Sequence, residues 1–218
     1  MNNSSRFGEN YFRKYSHDKG YSSHSTNPTY GKRLAEIKFL SPSKGHLLDI
    51  GCAYSYFLNQ ASQHGYKPIG TDISLFALKQ SRKLFPKLPV FLSDSQHGIP
   101  LKASTIDTIT LDNTLEHIPN YISIIAEIYR VLKKNGLLFI CVPVNNRWTV
   151  DKTHLNYFTQ KSLTTILKRY GFTVIKSGEE GGKFRNIFGL LRLFIKGHTL
   201  FNYVPRGSGS FLCIYAKK

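Results

Sequence analysis

His46-Leu47-Leu48-Asp49-Ile50-Gly51-Cys52-Ala53-Tyr54-Ser55 decides the architecture of this 218-residue chain. An apolar run broken by a single acid and closed by glycine reads as a buried strand, and residues 54–64 follow as a helix ended by Gly65. Residues 67–71 form the next apolar run. Ser74 stands where a helix N-cap belongs, and Pro86 stops the helix that runs to Phe85. The same alternation continues downstream. Residues 89–93 and Ile106-Asp107-Thr108-Ile109-Thr110-Leu111 are strand-like, and beyond Pro119 the spacing of Ile122, Ile125, Ile128, Tyr129 and Leu132 is helical. Asn135-Gly136 is expected to end that helix, and residues 137–142 form a continuous apolar run that suits a central strand covered on both faces. A helix over 162–170 and strands over 171–175 and 211–216 complete the series. Strands alternating with helices predict an α/β fold with a doubly wound, mostly parallel sheet.

In such a sheet, ligands bind beyond the carboxyl ends of the strands, where small-residue turns let the backbone approach. The turn after the first strand departs from a dinucleotide fingerprint, because Ala53 and Tyr56 occupy the second and third glycine positions of G-x-G-x-x-G. Asp72 closes the second strand, 23 positions after Asp49. A carboxylate there suits a ribose diol, and it equally suits a cap for the helix beginning near Ser74. Asp94-Ser95 holds the corresponding place after the third strand, so three acidic groups line one sheet edge.

With Leu48-Asp49-Ile50-Gly51-Cys52, Asp72 and Asp94 stand two further runs. They are Asp112-Asn113-Thr114-Leu115-Glu116-His117-Ile118 and Glu127-Ile128-Tyr129-Arg130-Val131-Leu132-Lys133-Lys134-Asn135-Gly136-Leu137-Leu138. Across roughly residues 45–176 the sequence resembles the class I S-adenosylmethionine-dependent methyltransferases, in their small-molecule (type 11/type 12-like) branch. The resemblance implies a Rossmann-like, seven-stranded sheet with helices on both faces and an antiparallel last strand. Residues 1–30, rich in Ser, Asn, Tyr and charge and poor in aliphatic residues, read as an arm or lid ahead of a methyltransferase domain over 31–218. The resemblance also implies S-adenosyl-L-methionine as cofactor. Gly51 and Ala53 would bring backbone groups against its methionyl end, and Asp49 would meet the amino group. Asp72 would hold the ribose hydroxyls, Ile73 would lie on the adenine face, Asp94 and the Ser95 backbone would take the adenine edge, and Asn113 would border the sulfonium pocket. The family usually has glycine where Ala53 stands.

Methyl transfer from a sulfonium is an in-line displacement that requires an aligned acceptor and, for a hydroxyl, removal of a proton. His117 after the fourth strand and His154 after the fifth are the candidates, with His154 preferred as base or acceptor contact; both also suit a structural role that anchors a loop. No His/Cys/Asp/Glu cluster has ligand spacing along the chain, so no metal site is expected, and no G-x-S-x-G elbow is present. Tyr11, Phe12, Tyr15 and Tyr30 suit a lid over the cofactor or aromatics that pin the arm to the domain.

With 30 Lys+Arg against 13 Asp+Glu the net charge is +17, which excludes an acidic, solvating disordered chain and favours anionic partners. Within residues 183–209, Phe184, Ile187, Phe188, Leu191 and Ile195 share one helical face and Arg185, Arg192 and Lys196 another. That pattern fits a cover helix, or a basic amphipathic helix docking on an anionic membrane surface. Cys52, Cys141 and Cys213 form no CxxC pair and read as small buried hydrophobes. The polar start and the absence of a ~20-residue apolar run place the protein in the cytoplasm, with a peripheral position at the inner membrane surface as a variant. Three readings stand at this level. The first is a methyltransferase acting on an O or N atom of a small-molecule, sugar or lipid-linked acceptor. The second is an RNA methyltransferase, supported only by charge, and the third a non-catalytic domain of the same fold.

Overall fold

A computed structural model describes residues 6–15, 28–144, 152–180, 203–204 and 211–218. Its sheet strands are β1 (His46–Ile50), β2 (Lys67–Asp72), β3 (Val90–Leu92), β4 (Ile106–Asp112), β5 (Leu132–Pro143), β6 (Thr173–Glu180), β7 (Tyr203–Val204) and β8 (Phe211–Lys217). Their order is β3-β2-β1-β4-β5-β8-β6-β7. The first five pair in parallel, while β8 runs antiparallel to both β5 and β6. The expected seven strands and antiparallel last strand are therefore present, and the two-residue β7 adds an antiparallel edge to β6. Strand order reverses between β1 and β4, and the crevice at that switch point is where an α/β sheet binds ligands.

The helices are α1 (Glu9–Tyr15), α2 (Pro28–Leu40), α3 (Tyr56–Gln63), α4 (Leu75–Leu84), α5 (Tyr121–Val131) and α6 (Gln160–Arg169). Alternation along the strands separates two cores. Leu48, Ile50, Leu138 and Ile140 pack with Ile124, Ile128 and Leu163 on the α5–α6 face, whereas Leu47, Phe139, Cys141 and Tyr215 pack with Leu34, Ile37 and Leu58 on the α2–α3 face. All three cysteines are buried and free.

Local chemistry accounts for most helix ends. The Ser74 hydroxyl accepts from the Ala77 N–H at 3.1 Å, and the Asn120 side chain accepts from the Ser123 N–H at 3.1 Å. Two boundaries differ from expectation. α3 begins at Tyr56 because Ser55 has φ +64°, which breaks the helix that the pattern would start at Tyr54. Asn135-Gly136 does not end α5, which stops at Val131; the pair lies inside β5, where the Asn135 N–H donates to Lys218 O and the Gly136 carbonyl accepts from the Lys218 N–H. The C-terminal strand thus claims the two residues that resemble a helix stop.

α2 spans the boundary placed at residue 31, with Pro28 at its first position. Lys176 of β6 pairs with Glu36 and ties α2 to the sheet. The basic amphipathic segment at 184–201 lies outside the described residues. No helix among the described residues is long and apolar enough to cross a membrane.

Candidate functional site

The carboxyl ends of β1, β2 and β4 open into one cavity of about 790 Å³, lined also by Phe7, Tyr11 and Phe12 of the N-terminal arm. A cavity of this size suits a cofactor-sized ligand. Asp49, Gly51, Ala53, Asp72, Ile73, Asp94, Ser95 and Asn113 all line it, and so do His117 and His154. The fold therefore gathers every candidate cofactor-binding and catalytic residue around one space, while the side chain of the lid candidate Tyr15 lies outside the described residues.

The β1–α3 turn is shaped by backbone conformation. Gly51 has φ +82°, and a Cβ there would collide with the Thr114 side chain, so β1 and the loop after β4 approach each other only through glycine. Ala53 takes φ +47°, entering the left-handed region without glycine. Asp72 holds this turn in place. One carboxylate oxygen accepts from the Ala53 N–H at 2.8 Å and the other from the Ser74 N–H at 2.8 Å. Asp72 thus sits buried at the cavity wall and ties two turns together, while the cap of α4 is supplied by Ser74. Burial pushes its carboxyl upward, and the Ser74, Ala53 and Ile73 N–H groups hold it down.

Asp49 lies deeper. The Thr110 hydroxyl donates to its Oδ1 at 2.6 Å, yet burial, followed by the Asp112 and Asp72 carboxylates, pushes its carboxyl up to about 7. Asp94 accepts from the Gln96 side-chain amide at 2.9 Å, and the His97 Nδ1 lies 3.2 Å away. Asn113 has φ +52°, and its N–H donates to Cys141 O at 2.9 Å, which fixes the bend after β4.

His117 Nδ1 lies 3.1 Å from both the carbonyl and the hydroxyl oxygen of Thr153. His154 approaches His117 edge to face at 4.9 Å between ring centres. Phe7 packs on the other side of His117 at 5.4 Å, and Phe12 stacks on Tyr54 at 5.2 Å. The aromatic arm residues reach the cavity from Phe7 to Phe12, and Tyr30 of α2 also lines it.

Arg33 was not evident in the sequence. It is the only lysine or arginine among the described residues lining the cavity. Its Nε lies 3.2 Å from Asp112 Oδ2, its guanidinium covers the Phe139 ring at 4.8 Å, and an Nη contacts Cys141 Sγ at 3.3 Å. Burial opposes its charge, but Asp112 and its other partners keep it firmly protonated. Only the 3.6-residue spacing of Arg33 with Leu34 and Ile37 on α2 could have signalled it, and that spacing marks a buried face without saying what it faces.

A doubly wound sheet with carboxylates at three strand ends and two histidines around the same cavity has the arrangement in which α/β sheets bind ligands. The comparisons with known proteins specify it. A family profile described as a methyltransferase domain matches residues 24–177, and the chain belongs to that family of S-adenosylmethionine-dependent methyltransferases. The chain is 26% identical to a demethylmenaquinone methyltransferase of Lactococcus lactis over 203 residues, covering 86% of this chain and 77% of that protein. It is 26% identical over 140 residues to the demethylmenaquinone methyltransferase of Oceanobacillus iheyensis, covering 61% and 57%. It spans about half the length of several other curated relatives. In fold it matches a SAM-dependent methyltransferase of Archaeoglobus fulgidus with a TM-score of 0.65 at 20% identity, covering 87% of this chain and 94% of that one. The cofactor class fits the residues present. Buried carboxylates stand at the ends of β1 and β2, and the glycine turn between β1 and α3 admits close backbone approach.

Proposed function

We propose that this chain transfers the methyl group of S-adenosylmethionine to an O or N atom of a small-molecule, sugar or lipid-linked acceptor. The observation that carries this reading is a single cavity lined both by the strand-end carboxylates and by His117 and His154. When bound, the cofactor supplies an electrophilic methyl group on a sulfonium. Asp72 accepts from the ribose hydroxyls, Ile73 covers the adenine, and Asp94 with Ser95 takes its edge. Gly51 and Ala53 offer backbone groups to the methionyl end, Asp49 meets its ammonium, and Asn113 borders the sulfonium. His154, supported by His117, contacts and orients the acceptor. Phe7, Tyr11 and Phe12 exclude water above the reacting atoms.

The test is isothermal titration with S-adenosylhomocysteine, followed by isotopic methyl transfer from S-adenosylmethionine into a small-molecule extract. Saturable binding with label entering an extractable small product is the expected result. Binding without any transferred label would favour a non-catalytic domain, and label entering RNA would move the acceptor class.

Asp49 makes the binding pH-dependent. An ammonium beside it favours the ionised carboxylate, so affinity for S-adenosylhomocysteine is expected to rise from pH 5.5 to about 7 and then level. The slope should approach tenfold per pH unit at its steepest and vanish in Asp49→Asn. The unliganded protein shows the opposite sense. The folded carboxyl titrates near 7 against roughly 3.9 when unfolded, so this group's stabilisation is complete below pH 4 and is lost as pH rises through 7. A flat binding profile in wild type would separate Asp49 from the ligand ammonium.

A further inference from the structure

Glu116, His117 and His154 carry one ligating atom each within 4.8 Å of one another, at the acceptor side of the cavity. The chain sequence hides this set, because His154 lies 37 positions beyond His117 and only the fold joins them. We propose that these three side chains bind a first-row divalent transition ion that holds the methyl acceptor through two adjacent oxygens. The proposal rests on the methyltransferase reading of the same cavity.

Three features build the site. First, the donors are held in position from outside. His117 Nδ1 lies 3.1 Å from both the carbonyl and the hydroxyl oxygen of Thr153, which orients the ring so that Nε2 stands 3.9 Å from Glu116 Oε1. A histidine whose ring is oriented through one nitrogen, with the other turned toward the remaining donors, is arranged as metal-binding histidines are. Second, the two loops are fastened together. The Leu155 and Asn156 N–H groups donate to Glu116 O at 2.8 and 3.1 Å, and the Asn156 side-chain amide donates to Ile118 O at 2.7 Å. His154 is thereby carried to the Glu116-His117 turn by backbone bonds as well as by the edge-to-face contact of the two rings. Third, Glu116 is 1% exposed at the cavity wall, a placement that suits a carboxylate facing a cation.

The chemistry selects the ion. Two imidazoles and one carboxylate favour manganese, iron, cobalt or zinc over magnesium or calcium, which prefer an all-oxygen shell. Ligands at about 2.1 Å from one centre stand roughly 3.0–3.5 Å apart, so binding would draw the three donors inward by about an ångström. Three protein ligands leave two or three positions open on the cavity side. A catechol or vicinal diol fills two of them, and the ion lowers the pKa of the hydroxyl it holds. That hydroxyl releases its proton to solvent. Its oxygen lone pair then forms the bond to the methyl carbon as the carbon–sulfur bond breaks, and that pair goes to sulfur to give the neutral thioether.

The test titrates Co(II) and Mn(II) into the full chain saturated with S-adenosylhomocysteine, followed by calorimetry and by the visible spectrum of cobalt. One ion per chain is expected, with imidazole ligation in the spectrum. His154→Ala and Glu116→Gln should each weaken binding at least tenfold while leaving S-adenosylhomocysteine affinity within threefold of wild type. His154→Ala, at a half-buried loop position, serves as the control should Glu116→Gln fail to fold. A chain that binds S-adenosylhomocysteine but takes up neither ion, or whose ion binding ignores His154→Ala, overturns the ion site and leaves the methyltransferase reading intact. Failure of S-adenosylhomocysteine binding with ion uptake retained overturns that reading instead.

Discussion

Asp72→Ala is expected to abolish measurable S-adenosylhomocysteine binding and to lower the melting temperature at once. Its two carboxylate oxygens serve the Ala53 and Ser74 N–H groups at 2.8 Å each, and the side chain is buried. Hydrogen bonds to a charged group contribute about 1.5–3 kcal/mol apiece, so removing the acceptor costs on the order of 3–5 kcal/mol. For a domain of this size 1 kcal/mol moves the midpoint by roughly 2–4 °C, which gives a fall of about 10 °C. Binding should suffer more than stability. The ribose loses its charged acceptor, and the Ala53 turn loses the bond that holds it against β2. Affinity is expected to drop at least a hundredfold, measured at a temperature where the variant is fully folded. Near-normal affinity in a folded but destabilised variant would reduce Asp72 to a pin between two turns.

Much of this site was legible because it is written in local chemistry. Strand-end acids and a small-residue turn mark Asp49, Gly51 and Asp72 before any contact is known, and Ser74 announces its helix by capping it. Asn135-Gly136 misleads for a related reason: the dipeptide that ends helices also fits a kink in a strand, and the choice between them is made by Lys218, 83 residues beyond Asn135. What stays hidden depends on such long-range pairing. Glu116 and His117 are adjacent in sequence, but His154 joins them only because the loop after β5 hydrogen-bonds to Glu116 O. The aromatic arm was visible as composition, while the stacking of Phe12 on Tyr54 required the folded chain.

Arg33 is the clearest case of a residue whose role emerges only from packing, and its removal is expected to have the second large effect. Asp49, Asp72, Asp94 and Asp112 all face the cavity, and Arg33 is the lone basic side chain beyond histidine among the described lining residues. The methionyl carboxylate is the one anionic group of S-adenosylhomocysteine, and it must find a cation or carry its charge into a wall of acids. Arg33 is 7% exposed, stacked on Phe139 and held by Asp112, so it is fixed in place before ligand arrives. Arg33→Met keeps much of the stem's packing and removes the charge. Loss of one charge-assisted pair at about 1.5–3 kcal/mol predicts affinity weakened by roughly ten- to a hundredfold. The specificity is the sharper readout. Wild type should prefer S-adenosylhomocysteine strongly over 5′-methylthioadenosine, which lacks the amino-acid end, and the variant should lose most of that preference while its affinity for methylthioadenosine barely changes. Equal weakening toward both ligands would mean that Arg33 acts through the fold, by neutralising Asp112, rather than through contact with the carboxylate.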